Sequence, residues 1–292
     1  MIQVDNATSQ SLALSERSFT KFAQFITSEL GIKMPAGKMS MLQSRLLRRL
    51  KHLGIASLEE YQEYLFTSPC AEQERVHFID AVTTNKTDFF RESEHFTYLM
   101  RHALPELDPD IRNGRGEPRR WPFKLWCAGC STGEEPYTQA MVLSEFGEVR
   151  RGFEFKILAT DVSTRVLEHA ELGIYDEARV AVVPDSYRKK YLLKSKSTDH
   201  GQVRITPELR SKVYFNRLNF MDADYKVRDM FDVVFHRNVL IYFDKPTQEA
   251  VINKLCKNLK PGGYLFVGHS ESLSGLKVPL VSVSTAVFRK VK

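Results

Sequence analysis

The stretch KLWCAGCSTGEEPY, residues 124–137, gathers two cysteines spaced CxxC, two hydroxyl residues and paired glutamates in one short run. A CxxC suits metal binding or redox chemistry, whereas a small-residue turn between a strand and a helix suits a nucleoside ligand. A closed zinc site takes four ligands, commonly as two close pairs. No second CxxC or HxxxH follows, and the eight histidines are scattered singly. A thiol ahead of a helix can be acidified, but Glu134 and Glu135 follow at once and disfavour a thiolate. No metal site is expected, and Cys127 and Cys130 are read as small residues lining a tight strand end.

The nucleoside reading explains more of the loop. In an open α/β sheet, ligands bind outside the carboxyl ends of strands, where a strand feeds a helix. AGCSTGEEP has that position, Gly129 and Gly133 permit close backbone approach, and Pro136 fits a first helical turn. A phosphate is disfavoured: there is no GK[ST] ending and no GxGxxG spacing, and two carboxylates would repel it. A nucleoside without phosphate and with a positive charge fits, and S-adenosylmethionine (SAM) has both properties. The next strand candidate ends in ILATD, which puts Asp161 at its carboxyl end, either to accept from ribose hydroxyls or to cap the following helix. Glu135 likewise either meets the ligand or favours a helix N-terminus.

These residues need a scaffold, and the chain divides into two patterns. Up to about residue 90 it reads as helices. Phe19, Phe22, Ile26 and Leu30 recur at spacings of three and four, with Gly31 as a stop. Ser40 with Gln43 and Ser57 with Glu60 read as capping boxes. Beyond about residue 120, β-rich runs alternate with helical stretches, which predicts a mostly parallel sheet covered on both faces. VPLVSVSTAVFRKV at the end predicts an antiparallel edge strand. Residues 176–212 are long and polar and contain the hairpin-like HGQVRI, so they read as an insertion.

The strings TTNKTDFFRE (83–92), STGEEPY (131–137), RNVLIYFD (237–244), LKPGG (259–263) and GHSESL (268–273), in this order, resemble the chemotaxis receptor glutamate methyltransferases. These are SAM-dependent enzymes that esterify glutamate side chains on chemoreceptors. The resemblance runs from about residue 15 to the C-terminus. It implies a loose tail over 1–14, a helical substrate-recognition domain over 15–78 and a linker over 79–92. It implies further a class I methyltransferase domain over 93–292, Rossmann-like, with a small antiparallel β-subdomain inserted at about 176–212. It implies SAM contacts at Asn85, Thr87, Arg91, Glu135, Asp161, Asn219, Phe220, His236 and Arg237, with S-adenosylhomocysteine as the product. It implies too that Arg91 and Tyr242 lie nearest the transferred methyl. The alternatives are that Arg91 pairs with Glu92 or a neighbour, and that Tyr242 is a core aromatic beside Phe243.

A carboxylate acceptor simplifies the chemistry. A glutamate with a pKa of about 4.3 is ionised at neutral pH, so no general base is needed, in keeping with the lack of a Ser-His-Asp or Cys-His set. Residues 30–58 carry no acidic side chain, and Lys38, Arg45, Arg48, Arg49 and His52 share a helical face opposite Leu42, Leu46, Leu50 and Leu53. This basic stripe is expected to meet the glutamate-rich methylation helices of chemoreceptor cytoplasmic domains. A receptor C-terminal peptide docking on the β-subdomain by strand addition is a further expectation of the resemblance.

The remaining composition is ordinary. The 292 residues carry a net charge of +6, with 42% hydrophobic and 27% charged residues. Four cysteines are too few for a disulfide framework. No apolar run reaches the roughly 20 residues of a membrane span, and the N-terminus lacks an export signal. A cytoplasmic monomer without membrane insertion is expected. Rival readings are a nucleic-acid methyltransferase, disfavoured because basic and aromatic residues do not alternate densely, and a non-catalytic receptor-binding module. A nicotinamide dehydrogenase would need the missing GxGxxG. No nucleic-acid partner is expected.

Overall fold

The computed structural model describes residues 13–108, 122–150, 152–195 and 201–291. The chain divides into two compact units, residues up to Thr84 with Tyr242–Asp244, and Asn85–Ile241 with Lys245 onward. Of the tail expected over 1–14, residues 1–12 lie outside the described residues.

The helical unit holds α1 (Glu16–Leu30), α2 (Met39–Leu53), α3 (Leu58–Thr67) and α4 (Ala71–Val82). Ser15 caps α1 by accepting the Ser18 N–H, and Gly31 closes it in the left-handed region at φ 68°. The apolar stripe of α1 is buried, and Phe22 stacks on Tyr61 and Phe78. The Ser57 cap forms, although Glu60 accepts the Ala56 N–H rather than that of Ser57. The Ser40–Gln43 box does not form. A 3-10 turn at Ala36–Lys38 leads into α2 with Lys38 at its N-cap, two residues before Ser40, and Gln43 accepts instead from the Leu14 N–H.

The basic face of α2 is narrower than its sequence suggests. Leu42, Leu46 and Leu50 are buried as expected, but so is Glu74 on α4, at 2% exposure. That carboxylate accepts from Arg49 Nε and Nη2 (2.8 and 2.6 Å) and from the Tyr61 hydroxyl (2.7 Å). Arg45 donates to the carbonyls of Val82 and Thr83 and to Thr84 Oγ1. Arg45 and Arg49 therefore tie α2 to α4 and its end, and Glu74, 25 residues along the chain from Arg49, supplies that arginine with the counter-charge its local sequence lacks. Arg48, Lys51 and His52 remain exposed, with Lys38 partly so.

The second unit is built on a seven-stranded sheet in the order β6-β2-β1-β7-β8-β10-β9. Its strands are β1 (Phe123–Ala128), β2 (Phe155–Asp161), β6 (Val213–Arg217), β7 (Phe231–Phe235), β8 (Leu259–Phe266), β9 (Leu280–Ser284) and β10 (Val287–Lys290). The first five pair in parallel, while β10 runs antiparallel to both β8 and β9. Central β1 and β7 are almost wholly buried, the continuous apolar run of a sheet covered on both faces. Two antiparallel strands stand where one was expected. The helices are α5 (Glu94–Tyr98), continuing through a π-turn at Leu99–Ala103 into α6 (Leu104–Leu107), then α7 (Glu134–Val149), α8 (Thr164–Leu172), α9 (Asp185–Tyr191), α10 (Pro207–Arg210) and α11 (Lys245–Asn258).

A separate antiparallel sheet, β3-β5-β4, comprises β3 (Ile174–Asp176), β4 (Leu192–Lys194) and β5 (Gln202–Ile205). It begins at Ile174 rather than 176. Gly173 ends α8 at φ 61° and its carbonyl takes the Ile205 N–H, so the chain turns directly into β3. Residues 196–200 of the hairpin lie outside the described residues.

Candidate functional site

The loop joining β1 to α7 is held from behind. The N–H groups of Gly129 and Cys130 both donate to the Thr160 carbonyl (2.7 and 2.9 Å), Ser131 N–H donates to Asp161 Oδ2 (2.9 Å), and Gly133 N–H donates to the Cys130 carbonyl. These amides turn toward β2 rather than outward, which removes the cradle a phosphate needs. The glycines serve packing. A Cβ on Gly129 would lie 2.7 Å from Val239 Cγ2, and one on Gly133 would lie 2.6 Å from the Tyr175 hydroxyl and 2.9 Å from Ala170 Cβ. Both sit at φ near +100° (98° and 97°), in the region that favours glycine. The close approach expected for a ligand is thus taken by the protein's own side chains.

The paired glutamates part company. Glu134 is buried and accepts from Thr132 Oγ1 (2.6 Å) and from Arg179 Nη2. Arg179 also donates to the Thr87 carbonyl (2.8 Å) and to Asp88 (3.1 Å), which holds the 87–88 segment against α7. Glu135 accepts from Arg237 Nη1 (3.0 Å), Gln139 Nε2 (3.3 Å) and Cys127 Sγ (3.5 Å). Burial pushes its carboxyl above the usual range, and the Arg237 guanidinium pulls it part of the way back. Cys127 and Cys130 are free, buried thiols whose pKa values burial and nearby carboxylates push well up. A thiolate is disfavoured at both, as their surroundings in the sequence suggest.

Arg237 organises this region. Its side chain has no exposure, its Nη2 pairs with Glu92 Oε2 (3.1 Å) and donates to the Arg91 carbonyl (2.5 Å), and its guanidinium lies over the Phe96 ring. It therefore ties β7's end to α7 and to the NKTDFFRE segment. His236 is wholly buried, with Nδ1 2.9 Å from the Ala128 carbonyl and the ring edge-on to Phe220 at 4.7 Å. A carbonyl only accepts, so Nδ1 carries the proton. Burial lowers this imidazole to about 4. The side chains of His236 and Arg237, both implied by the resemblance as SAM contacts, are buried and partnered within the protein.

Other residues implied by the resemblance fall at the strand tips or beside them. Asp161 ends β2 and accepts both the Ser131 and Ser163 N–H groups, while Ser163 itself caps α8. Phe220 is buried, and one of its ring atoms lies 3.9 Å from a Cβ built on Gly129. Asn219 Oδ1 accepts the Met221 N–H (3.0 Å). The Asn85 carbonyl accepts from Ser131 Oγ (2.9 Å), and Thr87 is buried. Arg91 is less tightly held than Arg237. Its side chain is 34% exposed, its distance to Glu92 is 3.9 Å, and Nη1 donates to the Lys86 carbonyl. Tyr242, at the end of the 3-10 turn Leu240–Tyr242, groups with the helical unit, where its carbonyl accepts the Lys33 N–H (3.0 Å).

Strain and buried charge mark further residues that pattern reading did not single out. Phe90, Glu92, Ser131 and Asn238 all adopt positive φ without being glycine, a backbone state that persists only where surroundings impose it. Glu271 is one source of that imposition. Its carboxylate accepts N–H groups from Asn238 (2.9 Å), Ile241 (3.3 Å) and Gly268 (2.6 Å). Those bonds pull RNVLIY out of the sheet, so β7 stops at Phe235. The signal was the pairing of two quoted strings, RNVLIYFD and GHSESL, which only folding brings together.

Residues 85–288 match the description "CheR methyltransferase, SAM binding domain", and residues 17–83 match "CheR methyltransferase, all-alpha domain". The chain belongs to the CheR methyltransferase family. A chemotaxis protein methyltransferase of Klebsiella aerogenes is 39% identical over 265 residues, 91% of this chain and 86% of that protein. One of Borreliella burgdorferi is 36% identical over 286 residues, 98% of each, and one of Escherichia coli is 37% identical over 266 residues, 91% of this chain and 88% of that protein. The CheR family's cofactor is SAM, and the chemistry on the page fits it. Loop amides are turned inward, and Glu92, Glu134, Glu135 and Asp161 outnumber the guanidiniums of Arg91, Arg179 and Arg237. Such a site repels a phosphate and favours a cationic nucleoside. Among the described residues no helix is long and apolar enough to cross a membrane.

Proposed function

We propose that the chain methylates glutamate side chains of chemoreceptor cytoplasmic domains, giving glutamate methyl esters and S-adenosylhomocysteine in sensory adaptation, in the cytoplasm. The observation that carries this reading is the lack, among the described residues, of a poised base or nucleophile at the strand tips. His236 is neutral and bound to a carbonyl, both thiols are held protonated, and Glu135 is tied to Arg237. An acceptor with a proton to lose would need a base here, whereas a carboxylate needs none. SAM, when bound, supplies the electrophilic methyl carbon.

The chain's own residues then bind, orient and exclude water. Asn85, Thr87, Glu135, Asp161, Asn219 and Phe220 are proposed to contact the cofactor, with His236 and Arg237 positioning them from beneath. Arg91, half-buried and only loosely paired with Glu92, is proposed to orient a carboxylate. Placement of this kind is worth as much as roughly 7–11 kcal/mol of barrier. Tyr242 is proposed to act next to the methyl, so Tyr242→Phe should lower turnover more than SAM affinity.

The test is transfer of labelled methyl from SAM to purified chemoreceptor cytoplasmic fragments. Base-labile label supports the reading, and base-stable label or none overturns it. Receptor recognition is proposed for the exposed part of the basic face. Because Arg49 anchors Glu74, the informative variant is Arg48→Glu with Lys51→Glu, which should weaken receptor methylation and leave SAM affinity unchanged. Normal methylation by that variant would remove the stripe from recognition.

A further inference from the structure

A second cluster, in the sheet unit, shares Glu92 with the Arg237 pair. Glu92 precedes α5, His95 lies in its first turn, and His269 follows β8. Each offers one metal-ligating atom, and these atoms all lie within 4.8 Å of one another. Glu92 Oε2 and His95 Nδ1 are 3.6 Å apart, and the two imidazole rings meet edge to face with centroids 4.6 Å apart. Bonds of about 2.0–2.1 Å in a tetrahedral arrangement set ligand atoms roughly 3.3 Å apart. The carboxylate and the first imidazole already stand near that spacing.

His95 supplies the independent sign of a ligand. It is 1% exposed, and neither ring nitrogen has a hydrogen-bond partner in the protein. A buried polar group left without a partner is costly. A metal bond to Nδ1, which lies 3.6 Å from Glu92 Oε2, satisfies one of the two nitrogens. His269 is exposed, which leaves a further coordination position open to solvent. The backbone is already set for the purpose, since Glu92 Oε2 accepts the His269 N–H (3.1 Å) and Oε1 accepts from Asn238 Nδ2 (3.3 Å).

We infer that Glu92, His95 and His269 form a binding site for a divalent transition-metal ion, with zinc as the first candidate. Two imidazoles and one carboxylate select zinc and its neighbours cobalt and nickel over calcium or magnesium, which take oxygen ligands. The Arg237 guanidinium, 3.1 Å from the same Glu92 oxygen, opposes a cation. The site therefore binds reversibly and yields its ion to a chelator. The expectation of no metal rested on the CxxC, whereas these ligands come from segments 177 residues apart in the chain (92 to 269).

The experiment uses the full chain, stripped with a chelator and titrated with Zn²⁺ by calorimetry and with Co²⁺ by visible absorption. One ion per chain is expected, and Co²⁺ should show the bands of four- or five-coordinate geometry. His269→Ala and His269→Gln, at an exposed position, should each weaken both ions by at least about tenfold, while His52→Ala leaves them unchanged. Lack of stoichiometric binding by the unaltered chain, or equal binding by either folded His269 variant, overturns the site.

Discussion

Replacing Arg237 with methionine tests whether one buried guanidinium holds the site together. The side chain has no exposure, while its partners Glu135 and Glu92 keep 13% and 16%. Removing one member of a buried pair costs about 3–5 kcal/mol, because the partner charge is left desolvated. The lower end applies here, since Gln139 and Cys127 still serve Glu135, and Asn238 and the His269 N–H still serve Glu92. About 3 kcal/mol is on the order of a hundredfold in the unfolding constant. The loss should also depend on pH. Burial raises the Glu135 carboxyl and Arg237 is the strongest influence lowering it, so the variant's carboxyl titrates higher still. A raised carboxyl binds protons in the fold that the unfolded chain has released, so stability declines as pH rises from the unfolded value toward the folded one. The deficit of Arg237→Met is therefore full above the raised carboxyl's titration and shrinks as pH falls toward the unfolded value of 4.5. Urea unfolding followed by tryptophan fluorescence measures it, because Trp126 is fully buried in β1 of the sheet unit. Adding Glu135→Gln should recover about 1 kcal/mol or more relative to the sum of the single changes. An unchanged urea midpoint, or strict additivity in the double variant, would refute the clamp.

Glu74→Gln should destabilise the helical unit by about 1.5–3 kcal/mol, the usual worth of hydrogen bonds to a charged group, as read by circular dichroism in urea. The interactions with Arg49 and Tyr61 outweigh burial and hold this carboxyl below the usual 4.5, so its contribution is present above that value and lost on further acidification. His236, lowered by burial from 6.5 to about 4, makes stability fall as pH drops from 6.5 toward 4, by about 3 kcal/mol in all. His236→Gln should flatten that part of the profile, and an identical acid dependence in the variant would contradict the assignment. Gly129→Ala places a Cβ 2.7 Å from Val239 Cγ2 at φ 98° and should cost about 1–3 kcal/mol. Adding Val239→Ala should recover only part of the loss, since the backbone strain stays; full recovery in thermal melts would locate the whole cost in the contact.

Much of the scaffold was legible because its signals are local. The spacing of Phe19, Phe22, Ile26 and Leu30, the stop at Gly31, and the apolar runs of β1 and β7 each depend on neighbours within a few residues. Boundaries failed where a distant group intervened. Glu271 ends β7, and the Gly173 turn starts β3 early. The basic face of α2 looked continuous because its counter-charge, Glu74, lies 25 residues away from Arg49.

By itself, the amino-acid order determined the two-part architecture, the strand-then-helix alternation and the loop chemistry that excludes a phosphate and suits SAM. These follow from periodicity, glycine placement and charge within short windows. Only the tertiary structure decided what each charged or polar side chain does. Arg237 became a buried clamp, Arg45 and Arg49 became anchors, His236 became a brace, and Glu92, His95 and His269 came together as a ligand set. The physical reason is that the state of a charge depends on burial and on its nearest opposite charge. Both are set by contacts between segments that the chain keeps far apart.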